Sequence, residues 1–127
     1  MDHQFQKHYT REEARALLPQ IRRWLHELAR IRSDVETNDR RLEGLLASGQ
    51  DLGGDMVNKS VQLLAEIKAL IHEFQSREIF IKDMERGLID FPALIGGREV
   101  FLCWEKDDED IEFWHGIDSG YAGREPL

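Results

Sequence analysis

Asp83, Asp90, Cys103, Trp104, Trp114, His115 and Arg124 are the side chains of this 127-residue chain whose types and spacing could do chemistry. A cysteine thiolate and an imidazole are good ligands for Zn²⁺, and aspartates can complete such a site. A structural zinc site needs four ligands, and the chain has one cysteine and no His-x-x-x-His spacing. Asp83 and Asp90 join Cys103 and His115 only if loops bring them round. They stand in a D-x-x-x-G-x-x-D spacing around "MERGLI". That suits paired-carboxylate acid/base or metal chemistry, but is expected more simply to fix a turn by accepting loop amides. A Cys-His nucleophile lacks an orienting third group and an oxyanion hole. Trp104 and Trp114 could form an aromatic platform, although a shallow sheet needs such rings for its core. Arg124 in "GYAGRE" could hold a phosphate or carboxylate, yet this is no P-loop, and pairing with a nearby acid is expected. The residue types name no cofactor and no reaction, and lean away from an enzyme.

Strands must position these groups. "EIFIKD", "LIDF", "REVFLCWE" and "IEFWHGI" carry β-branched and aromatic residues between turn signals, and read as strands at Ile79–Lys82, within "LIDF", and on either side of "KDDED". Alternation puts Phe101, Cys103 and Glu105 on one face and Leu102 and Trp104 on the other. With an odd hairpin loop, Cys103 and His115 share a face. The bland expectation is a buried, apolar-like Cys103 and a strand-capping His115. The acidic run Asp107–Asp110 is expected to keep a hairpin tip solvated. His3, His8, His26 and His72 are expected to be isolated and exposed.

Two helices precede the strands. "TREE" sets Thr10 and Glu13 in a capping-box spacing, and Pro19 marks a local bend or a slightly later start. From there Leu18, Ile21, Leu25, Leu28, Arg32, Val35, Asp39, Leu42 and Leu46 trace a heptad seam with polar entries at Arg32 and Asp39. The helix should reach Ala47, roughly 55 Å at 1.5 Å per residue. "SGQDLGGD", Ser48 to Asp55, breaks it. The second helix shows Val57, Leu64, Ile67, Ile71 and Phe74, widened by Met56, Val61, Leu63 and Leu70, and should end near Arg77. Folding back at the break leaves about 15 residues of the first helix overhanging the hairpin, with Leu17, Leu18, Ile21, Trp24 and Leu25 needing cover from the sheet or a second copy.

"YTREEARALLPQIR", "KDMERGLIDFPA", "REVFLCW", "IEFWHGID" and "GYAGREPL" together resemble an uncharacterised bacterial family, domain of unknown function 2203, over nearly the whole chain. The resemblance implies no established activity. It implies that Asp83, Gly87, Asp90, Phe91, Pro92, Cys103, Trp104, Trp114, His115, Gly123 and Arg124 occupy motif positions, so that a site belongs in the C-terminal lobe. Members often have a glycine before "IFIKD", where this chain has Arg77-Glu78. They also tend to carry Gly-Glu in the hairpin turn, where it has "KDDED".

Composition bounds the rest. Hydrophobic residues at 41% and charged residues at 33% describe a globular chain, one domain by length, with no apolar run long enough for a membrane. Residues 87–127 hold 3 Lys/Arg against 10 Asp/Glu, of a total charge of −8, which argues against nucleic-acid binding. A single cysteine and an N-terminus without a signal pattern lead to a cytoplasmic expectation. The expected fold is α+β: a long antiparallel, coiled-coil-like helical hairpin over residues 10–77, turning near 48–55, then a small antiparallel β-sheet and tail over 78–127. The expected role is a non-enzymatic interaction module that dimerises through the hairpin. The alternative is a small-ligand or metal site in the β lobe.

Overall fold

The computed structural model describes residues 3–49 and 54–127. Its order is α1 (Arg11–Ala47), α2 (Gly54–Gln75), β1 (Phe80–Asp83), β2 (Leu88–Ile95), β3 (Arg98–Glu105), β4 (Phe113–Gly116), a 3₁₀ turn (Tyr121–Gly123) and β5 (Glu125–Pro126). The expected α+β class holds, with all five strands in one antiparallel meander ordered as in the chain. Two compact units result: residues up to Leu25 together with Glu73–Leu127, and His26–His72.

His26–His72 is the helical hairpin. Its α1 rows are Leu28, Val35 and Leu42, and Ile31, Asn38 and Leu45, all buried or half-buried. The expected seam therefore has one row correct and the other displaced by one residue. Arg32, Asp39 and Leu46 face outward, and Ile31, Asn38 and Leu45 take their places. α2 repeats the slip: Met56, Ser60, Leu63, Ile67 and Leu70 are covered, while Val57, Val61 and Leu64 are exposed. Arg32 and Asp39 lie on the exposed side of α1. Asn38 bridges the two helices, its amide donating to the Met56 carbonyl at 3.0 Å and to Ser60 Oγ at 2.6 Å, which satisfies a buried polar group between them. The expected turn at Ser48–Asp55 lies partly outside the described residues.

The other unit begins with the capping box. The Thr10 amide donates to Glu13 Oε1 and the Glu13 amide to Thr10 Oγ1, at 3.0 and 3.1 Å. Pro19 lies within the continuous helix. Ala14, Leu18, Ile21 and Trp24 are buried, as are Ile89, Phe91, Ala93, Val100, Leu102 and Trp104 on one face of the sheet. Arg22 lies over the Trp104 ring at 4.9 Å, and Arg15 makes a two-pronged bond to Asp110 at 2.7 and 2.9 Å. So the sheet covers the overhang. Trp24 packs on Phe74 rather than on the other tryptophans, with ring centroids 5.2 Å apart.

α2 closes with a Schellman arrangement, in which the Ile79 and Glu78 amides donate to the Phe74 and Gln75 carbonyls at 3.0 Å each. Glu78 takes φ +54° there, the left-handed conformation that suits glycine and the place where the family resemblance expects one. The helix thus ends close to Arg77, and β1 starts one residue later than expected. β2 is twice the length of "LIDF" and runs through Pro92. Proline is tolerated because β1 pairs only with Leu88–Asp90, so Pro92 lacks no ladder bond, and its carbonyl accepts the Tyr9 amide at 2.7 Å. Gly96 and Gly97, with φ +59° and +78°, make the two-residue turn into β3. Gly87 combines φ +63° with Lys106 Cβ only 2.8 Å from where a side chain would start. The tail is not simply loose chain: β5 adds to β4 and the Leu127 amide bonds to Glu112.

Candidate functional site

Register decides what meets. Asp90 pairs with Cys103 across β2 and β3, and Cys103 with Phe113 across β3 and β4, which sets His115 diagonal to Cys103 on the same face. The expected shared face is found, and Asp90 joins it without any loop. Ligand atoms of Asp90, Cys103 and His115 all lie within 4.8 Å of one another. All three are buried, Cys103 completely and the other two to 2% exposure.

His115 Nδ1 lies 2.8 Å from the Gly116 carbonyl and Nε2 lies 3.0 Å from Asp90 Oδ2. A carbonyl oxygen only accepts, so Nδ1 carries a hydrogen. The Nε2–Oδ2 contact then needs one more proton, held as imidazolium–carboxylate or imidazole–acid. Burial raises the Asp90 carboxyl above its ordinary 3.8, opposed by the charge and hydrogen bond of His115 and by the charge of Lys82. Asp90 Oδ1 is buried with no hydrogen bond of proper geometry, and its sulfur neighbour, the Cys103 thiol, is a weak donor. Burial, then the Asp90 charge, push that thiol up to about 12 against the pull of Arg124, so Cys103 is a protonated thiol rather than a nucleophile.

Arg124 lies over the Phe113 ring at 3.9 Å and Tyr121 at 4.5 Å, and bonds Asp108 Oδ2 at 3.2 Å, the acid partner expected in the C-terminal third. Asp83 stays apart: Oδ1 accepts the Arg86 amide at 3.1 Å, the turn role expected of it. Trp104 and Trp114 lie on the opposite face of the sheet. Trp104 is fully buried, with Nε1 donating to the Asp108 carbonyl at 3.0 Å, and half-buried Trp114 lines an open cleft of about 730 Å³ that includes none of the three clustered residues. They form no platform. The acidic run is partly structural, with Asp108 accepting the Glu105 amide and Asp110 tied to Arg15.

Two anchoring residues carry no sequence signal. Glu99 accepts the Gln4 and Phe5 amides at 2.7 and 3.1 Å and meets His8 Nε2 at 2.8 Å, while Glu78 accepts the Gln6 and Lys7 amides. His3 and His8 are therefore not isolated, their rings lying 5.0 Å apart beside Glu99. His26 and His72 are exposed as expected. Burial works against Glu99 ionising, but His8 and the two amides outweigh it and bring the carboxyl from 4.5 to about 2. A depressed carboxyl contributes stability above its unfolded value and loses it as pH falls through the folded one. Protection of the Gln4 and Phe5 amides from hydrogen exchange, taken relative to the intrinsic rate at each pH, should therefore fall between about pH 4.5 and 2 in the wild type. In Glu99→Gln that protection should be low at every pH; unchanged protection in that variant overturns the assignment.

Fold and site together define a small α+β protein that buries an acid, an imidazole and a thiol between neighbouring strands of one sheet. The family model described as Uncharacterized conserved protein (DUF2203) matches residues 7–127, and the chain belongs to that family. No curated protein and no solved structure matches it. Among the described residues, no helix is long and apolar enough to cross a membrane.

Proposed function

We propose that this is a cytoplasmic, non-enzymatic self-association module in which a second copy of the chain covers the outer face of the hairpin. The carrying observation is the row Val57, Val61 and Leu64, spaced i, i+4, i+7 on α2 and exposed to 45, 63 and 62%. Leu46 on α1 is exposed to 63%. Such a row is what a helix presents to another helix. A second copy fits because the unit is close to charge-balanced, with 6 Lys/Arg against 8 Asp/Glu over residues 26–72. Several of those charges are already paired along α1, Arg30 with Glu27 and Asp34, and Arg32 with Glu36. Two such faces meet without a large repulsive field, as an isologous four-helix contact.

Light scattering coupled to gel filtration should give twice the chain mass of 14.8 kDa. Val61→Glu with Leu64→Glu should return the mass to one chain with an unchanged helical spectrum, since neither side chain belongs to the hairpin interior. A wild-type monomer, or a dimer that survives both charges, overturns the reading.

A further inference from the structure

We propose that Asp90, Cys103 and His115 form a binding site for a divalent cation of the zinc class, independent of any self-association. The donor set is one carboxylate oxygen, one imidazole nitrogen and one sulfur, drawn from three adjacent strands and set within 4.8 Å of one another. Mixed N, O and S donors select borderline-soft ions over Mg²⁺ or Ca²⁺. Two ligand atoms held about 2.0–2.1 Å from a tetrahedral ion stand roughly 3.3 Å apart. His115 Nε2 and Asp90 Oδ2 stand at 3.0 Å, so the ion enters their contact with a few tenths of an ångström of movement. His115 is oriented as a metal-binding histidine usually is, its other ring nitrogen donating to a backbone carbonyl. The independent observation is Asp90 Oδ1, a buried polar atom of a residue only 2% exposed, left without a proper hydrogen bond. A second acceptor atom beside the ion's position gives the carboxylate a use for it.

Charge selects the valence. Without the ion the cluster holds a thiol, an imidazole, a carboxylate and the proton between the last two, a net charge of zero. A divalent ion that displaces the thiol proton and the shared proton leaves carboxylate, thiolate, neutral imidazole and M²⁺, again zero. With both protons displaced no uncompensated charge is buried, whereas one or three positive charges on the ion would then strand a unit charge in the core. Lys82 and Arg124, the cations that face the cluster from β1 and the tail, are present before and after and alter neither count.

Full-length protein is unfolded with chelator and refolded with Co²⁺ as the probe, or with Zn²⁺, so that entry into a closed core does not limit binding. The expected result is one ion per chain, a thiolate-to-cobalt charge-transfer band, two protons released per ion and a raised melting temperature. Cys103→Ser should remove the band. Asp90→Asn and His115→Gln should weaken binding by more than the roughly 10–100-fold lost with an outer-shell partner. A wild type that refolds without the band overturns the proposal. So does binding that persists in Cys103→Ser and disappears in His8→Ala, which assigns the ion to the half-exposed His3, His8 and Glu99 group. Should Cys103→Ser fail to fold, the wild-type band and proton count still decide.

Discussion

His115→Ala is expected to destabilise the protein by about 3–5 kcal/mol, measured with chelator present, because it leaves the Asp90 carboxyl in the core without its partner. Asp90→Ala should cost less, about 1–3 kcal/mol, since the histidine left behind can turn neutral and only an unbonded Nε2 remains. Asp90→Asn should be close to neutral. With Nδ1 committed to the Gly116 carbonyl, Nε2 accepts, and an asparagine amide can donate to it. The order of the three variants is thus set by one proton. The pH dependence follows the same logic. Burial raises the Asp90 carboxyl from 3.8, so between that value and the folded one the native state binds more protons than the unfolded state. Stability therefore falls as pH rises through that window, and His115→Ala widens it upward. Urea midpoints at several pH values check both claims. A His115→Ala variant within about 1 kcal/mol of wild type, or an Asp90→Asn variant as damaged as it, is incompatible with this account.

Trp104→Ala should have an effect of the same size, about 3–5 kcal/mol. The indole is fully buried, lies under Arg22, and donates to the Asp108 carbonyl at the foot of the acidic turn. Trp104→Phe separates these contributions. It keeps a ring in the core and leaves no orphan acceptor, because Arg22 Nη2 also donates to the Asp108 carbonyl at 3.0 Å. The cost should then drop to about 1–2 kcal/mol, the lost volume plus a hydrogen bond. Denaturant unfolding of the pair reads the difference. Trp104→Ala below about 1.5 kcal/mol contradicts a packing role.

Local chemistry was the most legible part of the sequence. Thr10 and Glu13 announce their helix start, Gly96-Gly97 the hairpin, and the bounds of β3 coincide with "REVFLCWE", because each depends on neighbours a few residues apart. The helix seam slipped because Trp24 and Leu25, or Met56 and Val57, are adjacent apolar residues, and periodicity alone does not choose between them. The polar entries at Arg32 and Asp39 were the signal of the wrong row, since Ile31 lies one residue away. Asp90 was grouped with Asp83 by spacing, whereas strand pairing, a long-range property, gave it Cys103 and His115. A lone charge inside the apolar run "LIDFPALI" is the local clue to a buried carboxylate. Glu78 and Glu99 anchor the N-terminal segment through backbone amides, which no pattern of side-chain types records.

The unit that carries the sheet is discontinuous in the chain, and that has a kinetic consequence. Within the meander every strand pairs with its neighbour in sequence, so the sheet can assemble through short loops. Covering it cannot be local: Arg22 reaches the Lys106 carbonyl across 84 positions and Arg15 reaches Asp110 across 95. Closing so long a loop in an open chain carries a large entropic cost. Residues 26–72 fold back on themselves, and once that hairpin forms most of the loop is short-circuited. Slowing hairpin formation should therefore slow the docking of residues 11–25 onto the sheet. Loss of the Asn38 bridge should then slow the folding of the other unit as well.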